Sequence, residues 1–147
     1  MKRVYLNLTP HKITIVGENK SITLEPSGYV ARVITRETKK YEVPIKQGDV
    51  TVIVPAVERE QVDVQLPDPR EVLQSLNGIS GVVLLVSSMV GEYVKNKGLP
   101  PEWLAVARIG ISITVAAPDT GPDSVVRDSE GRIIGVRRIV VYKSLPE

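Results

Sequence analysis

Short runs in which valine and isoleucine alternate with polar side chains recur along most of this chain, and turn-forming residues interrupt them at close intervals. A period of two is the mark of a half-buried strand, so this pattern limits the fold more than any other feature. Residues 3–8 place Val4, Leu6 and Leu8 on one face and Tyr5 and Asn7 on the other. Residues 12–16 resume the pattern with Ile13 and Ile15 inward, Gly17-Glu18-Asn19-Lys20 turns, and residues 21–24 return. After the turn Pro26-Ser27-Gly28 come candidate strands over residues 29–36, 41–46, 50–57 and 61–66, with Gln47-Gly48-Asp49 turning between two of them. This half of the chain predicts an antiparallel meander.

The second half departs from strict alternation. Residues 81–86 are continuously apolar and short, which predicts a strand covered on both faces. Asp68-Pro69-Arg70-Glu71 carries a capping residue, then a proline suited to the first helical position, and predicts a short helix that Asn77-Gly78 ends. Ser87-Ser88 predicts the start of a second helix over residues 89–97, with Ser88 as its N-cap, stopped by Gly98 and Pro100-Pro101. Residues 108–116 alternate again, with Ile109, Ile111, Ile113 and Val115 inward. Residues 125–127 and 132–143 predict a hairpin about Ser129-Glu130-Gly131. The expected fold is therefore mainly β (α+β): one β-rich domain over residues 1–147, an antiparallel meander, barrel-like or sandwich sheet with two short helices. Residues 55–78 are a candidate insertion or protruding arm, and several edge strands invite pairing between subunits.

Composition removes whole classes of function. Without cysteine there is no disulfide, thiol nucleophile or zinc-thiolate site, and one histidine cannot build a His-rich metal centre. No metal site and no cofactor are expected. A net charge of +2 with few aromatics argues against nucleic acid as the partner. The longest apolar run falls far short of the ~20 residues that span a bilayer, so no membrane segment is expected. The first residues lack a signal peptide's apolar region, which predicts a protein not secreted by that route. Absent cysteine with abundant Pro, Arg, Glu and Val would suit a thermophile.

Two groups of motifs carry a resemblance. Leu6-Asn7-Leu8-Thr9-Pro10-His11, with Ile13, Ile15 and the later Pro26-Ser27-Gly28-Tyr29-Val30-Ala31-Arg32-Val33, resembles the opening of small proteins encoded by phages, prophages and archaeal viruses. Val86-Ser87-Ser88-Met89-Val90, Pro118-Asp119-Thr120-Gly121-Pro122 and residues 126–137 resemble the second half of the same group. The resemblance covers both ends and skips much of the middle, where residues 51–76 look like an extension. It implies an origin in a virus or mobile element, hence the host cytoplasm or the virion, and no particular reaction.

The densest polar stretch is residues 117–132, where prolines and a glycine stiffen a loop crowded with aspartates and arginines. Asp119, Asp123 and Asp128 could bind a hard cation, but their spacing does not match an EF-hand, and Asx-turns explain them as well. Thr120 and Arg127, with Ser87 and Ser88 at a strand-to-helix junction, could cradle a phosphate on free N–H groups, although neither a Walker motif nor a dinucleotide fingerprint is present. His11 is the one candidate general base, and it could equally cap a turn. Trp103, Arg137 and Arg138 are candidate interface residues. The reading that follows is a non-enzymatic, oligomeric virus- or mobile-element-encoded protein, serving as a virion component or as a factor that binds viral or host proteins. The alternatives are a protein that sequesters a small anionic ligand such as a phosphorylated or nucleotide signal, and a hydrolase pairing His11 with Asp119 or Asp123.

Overall fold

The apolar run becomes β6 (Ile79–Leu85), an interior strand of a four-stranded sheet in a computed structural model that describes residues 2–146. β6 lies between β1 (Lys2–Asn7) and β7 (Ser112–Pro118), parallel to both, and β10 (Ile139–Leu145) forms the far edge antiparallel to β7. Alternate residues of β6 serve two cores. Val82 and Leu84, continued by Val86 and joined by Ile113 and Val115, pack with residues of α2 (Ser88–Lys97) and α3 (Pro101–Arg108). Val83 and Leu85, with Ala116, pack instead against Ile13 of β2 (Ile13–Val16). Burial on both faces explains why the run has no polar partner positions, each such side chain contributing ~1.5–3 kcal/mol.

The second sheet has the order β3-β2-β9-β8, from β3 (Ser21–Leu24), β8 (Val125–Arg127) and β9 (Ile133–Val136). β2–β3 and β8–β9 are antiparallel hairpins, and β2 and β9 run parallel where they meet. The molecule is thus layered as helices, main sheet and small sheet, mainly β with α+β character. Both sheets are open, and no barrel closes among the described residues.

Four expectations need correction. The main sheet is largely parallel rather than a meander, because β1 pairs with a strand more than seventy residues later and β6 reaches β7 through a helical crossover. There are three helices among the described residues, not two: residues 101–108 are helical, Ile109 is exposed, and β7 starts only at Ser112. The predicted strand over residues 132–143 splits into β9 and β10, which belong to different sheets, with Arg137 and Arg138 at the crossing. The short strands predicted between residues 29 and 66 fuse into two 16-residue strands, β4 (Arg32–Gln47) and β5 (Val50–Gln65), which turn at Gly48 and pair only with each other. Residues 55–78 thus begin within this ribbon, inside β5, and the segment after β5 holds α1 (Pro69–Val72), capped by Asp68 on the Arg70 N–H at 2.8 Å.

Two close contacts fix the layers. A Cβ on Gly91 would stand 2.3 Å from Tyr142 Cδ2, so only glycine lets α2 lie against β10. Trp103, 1 % exposed, sits in the core between α3 and the ribbon's base, and its Nε1 donates to the Pro67 carbonyl at 2.9 Å.

Candidate functional site

Because β1, β6 and β7 are parallel, the loops that follow them emerge at one end of the sheet. The ladder continues past the strands, with Leu8 N–H donating to Leu85 O at 2.8 Å and Val86 N–H to Ala116 O at 2.9 Å. These bonds hold the three loop starts side by side. The loop after β1 presents Thr9, His11 and Lys12, the turn after β6 presents Ser87 and Ser88, and the end of β7 with the segment beyond it presents Pro118 and Thr120. With Ile133, Ile134 and Val136 of β9 opposite, they enclose a cleft of about 580 Å³. In open sheets with parallel strands, ligands characteristically bind outside the carboxyl ends of those strands.

The loop after β1 is set by Asn7, which is 2 % exposed. Its Nδ2 donates to the His11 and Leu24 carbonyls at 2.8 and 3.0 Å, and its Oδ1 accepts from the Thr9 N–H and hydroxyl at 3.0 and 2.7 Å. All four hydrogen-bonding sites of the amide are used. Among the described residues no hydrogen bond engages the His11 imidazole or the Lys12 ammonium, and both side chains are exposed at the cleft. Ser87, not Ser88, is the N-cap of α2: its hydroxyl accepts the Val90 N–H at 3.3 Å. That leaves Ser88, the first helical residue, lining the cleft with no capping role.

The electrostatics have one sign. None of the residues that line the cleft is acidic, whereas Lys12 and the N-terminal end of the ten-residue α2 are both positive. The floor is apolar, from Ile13, Val86 and Ala117. A larger groove of about 750 Å³ lies between the ribbon's base and the α2–α3 turn, but Asp63, Asp68 and Glu102 line it and two of these bond neighbouring backbone N–H groups.

No protein-family model matches the chain, and comparison with curated proteins and with solved structures gives no match either.

The sequence-predicted residues divide into two sets. His11, Ser87, Ser88 and Thr120 meet in the cleft; Asp119, Asp123, Arg127 and Asp128 do not line it. Asp128 Oδ1 accepts from the Glu130 and Arg132 N–H groups at 2.9 and 3.0 Å, which shapes the β8–β9 turn, and Arg127 Nη1 donates to the Gly131 carbonyl at 2.6 Å. No group of three or more metal-ligating side chains occurs among the described residues. Trp103 is core and offers no surface in this chain. Arg137 and Arg138 are exposed, and their N–H groups donate to Oγ of the fully buried Ser124, at 3.1 Å each. Sequence reasoning passed over Asn7, Lys12 and Ser124. A lone polar residue between Leu6 and Leu8 at a strand end was the available signal for the first.

Asp119 supports the cleft's rim. Arg138 Nε donates to its Oδ2 at 2.5 Å and the Gly121 N–H to its Oδ1 at 2.9 Å. The Arg138 bond first, then the Gly121 bond, hold the Asp119 carboxyl below its ordinary value of 3.8. A carboxyl depressed in the folded state stabilises it above the ordinary pKa and loses that contribution as pH falls through the depressed one. Amide exchange at Gly121 and Ser124 is therefore expected to stay slow down to about pH 4 and to accelerate selectively below it. In Arg138→Gln the acid-dependent step should disappear. An unchanged step in that variant would mean that the pair does not hold the loop.

Proposed function

We propose that this chain is a non-enzymatic binding protein of viral or mobile-element origin whose cleft takes a small anionic ligand with an apolar or planar body, such as a phosphorylated or nucleotide signal. One observation carries the reading: a cleft without acidic lining joins Lys12, His11, Ser88 and the start of α2 over an apolar floor at the ends of three parallel strands. Its volume lies within the range of small-molecule sites, about 300–1,000 Å³. Free N–H groups of the first helical turn and Lys12 suit an anionic group, and Ile133 and Ile134 suit an apolar ring. The viral origin rests on the motifs at residues 6–11, 118–122 and 126–137. A hydrolytic role for His11 has less behind it, since the Asp119 carboxylate is taken by Arg138 and Gly121.

Thermal unfolding with a panel of mono-, di- and cyclic nucleotides and inorganic phosphate tests this. A ligand at a hundredfold excess over its dissociation constant should add ~2.7 kcal/mol of stability. Lys12→Glu should abolish the gain with little change in the free protein, and Arg127→Ala, away from the cleft, should keep it. No stabilisation by any anion, or equal stabilisation of Lys12→Glu, would refute the reading.

A further inference from the structure

The β4–β5 ribbon leaves the body beyond Val33 and Val64, and it has one apolar face. Directly paired residues share a face, and the register pairs Tyr41 with Ala56, Val43 with Val54, Ile45 with Val52 and Gln47 with Val50. Seven of those eight side chains are apolar. The opposite face, with Glu42, Lys46 and Thr51 among its residues, is mixed. Tyr41, Ile45, Val50 and Val52 are 43 %, 56 %, 64 % and 54 % exposed, although a two-stranded ribbon is marginal in water without something to pack on.

We propose that this face packs against the same face of a second copy of the chain, the two ribbons running antiparallel about a twofold axis near Val43 and Val54. Three observations favour that occupant. Pro44 and Pro55 interrupt the two open edges, since proline in a sheet is confined to positions whose N–H would face outward, so association proceeds through the face rather than by edge-to-edge pairing. The face is bounded by Lys39 opposite Glu58 at the stem, where Lys39 Nζ lies 5.4 Å from the Tyr41 ring centroid, and by Asp49 at the tip. An antiparallel pair brings each Lys39 toward the partner's Asp49 end. Finally, the face offers roughly 500 Å² per copy from its fractional exposures, hence about 1,000 Å² in the pair, the lower bound of a specific interface. The stem's ion pairs Arg36–Glu60, Arg59–Glu37 and Lys40–Glu37 are mixed in sign, which selects neither nucleic acid nor an anionic membrane.

Sedimentation equilibrium of the intact chain tests the proposal. The natural chain should be a dimer at micromolar concentration. Ile45→Glu/Val52→Glu should be monomeric, with association weakened at least a hundredfold, while Lys46→Glu on the opposite face stays dimeric. The cysteine-free sequence provides a second test that does not depend on those variants. Val54→Cys, near the axis, should cross-link between copies with a short bismaleimide, and Val50→Cys, at the tip, should not. A natural chain that stays monomeric, a double glutamate variant that remains dimeric, or equal cross-linking at both positions would each overturn it. So would a monomer that floats with phosphatidylcholine–phosphatidylglycerol vesicles, which would give the face to lipid.

Discussion

Trp103→Ala is expected to lower the free energy of unfolding by about 3–5 kcal/mol, the range for removing a large aromatic from a packed core. Trp103 is 1 % exposed and belongs to the core cluster that contains Val64 of β5, Leu99 and Val106, so its ring joins α3 to the base of the ribbon. Truncation leaves a cavity at that junction and removes the partner of the Pro67 carbonyl. The two contributions separate in Trp103→Phe, which restores most of the volume but not the N–H. It should cost less, roughly 1–3 kcal/mol, part of it the unpaired carbonyl. Because this is the one tryptophan of the chain, denaturant titrations of the variants need far-ultraviolet circular dichroism rather than fluorescence. Equal losses in the two variants would mean that the hydrogen bond, not the packing, holds the junction. A loss below about 1 kcal/mol in Trp103→Ala would contradict a core position altogether.

That residue also shows where sequence pattern stops being informative. Pro100-Pro101 reads as a stop and the alternation from Arg108 reads as a strand, so the eight residues of α3 vanish between two stronger signals. Their apolar positions, Trp103, Leu104, Val106 and Ala107, have helical spacing over barely two turns, too few for the period to declare itself. Residues 81–86 were legible as a strand covered on both faces, because an uninterrupted apolar run leaves no solvent side. Their direction was not legible: parallel pairing of β1 with β6 is a contact across some seventy residues, and no local pattern encodes it. The same holds for the ribbon. Its turn at Gly48 was readable, yet the bulges beside Thr35 and between Glu37 and Lys39 break the alternation and make two long strands look like four short ones.

The site was half legible for the same reason. His11, Ser87, Ser88 and Thr120 could each be singled out as a polar group at the end of an apolar run. Only the shared direction of β1, β6 and β7 brings them together. Polar density singled out Asp123, Arg127 and Asp128, which do not line the cleft, because a hairpin turn and a binding loop need the same residue types. Asp128 and Arg127 spend their side chains on the turn's own backbone. Asn7 was placed on a solvent face by alternation. In the fold Tyr5 on that same face stays 54 % exposed, and Asn7 alone is buried, where the following loop and β3 fold over the strand end and bring it the His11 and Leu24 carbonyls.

Asn7→Asp is expected to be the most damaging near-isosteric change at the cleft, costing about 2–4 kcal/mol as two part-buried carbonyls lose their donors, at roughly 1–2 kcal/mol each. The amide donates to the His11 and Leu24 carbonyls while accepting twice from Thr9. A carboxylate keeps the acceptor side and turns the donor side into a second acceptor, so lone pairs meet lone pairs in a site that is 2 % exposed. Asn7→Ala removes the clash and leaves the same carbonyls unpaired, so it should cost less, about 2–3 kcal/mol. Loss of the clamp should also reach function, because the segment it holds carries His11 and Lys12 to the cleft. In Asn7→Ala, amide exchange across residues 8–12 should rise well before global unfolding, and anion-induced stabilisation should weaken although Asn7 does not line the cleft. Thr9→Val, which removes only the hydroxyl bonds, should show the same pattern at smaller amplitude. If Asn7→Asp unfolded within about 0.5 kcal/mol of the natural chain, the size of a surface substitution, the loop would owe its shape to something other than this amide.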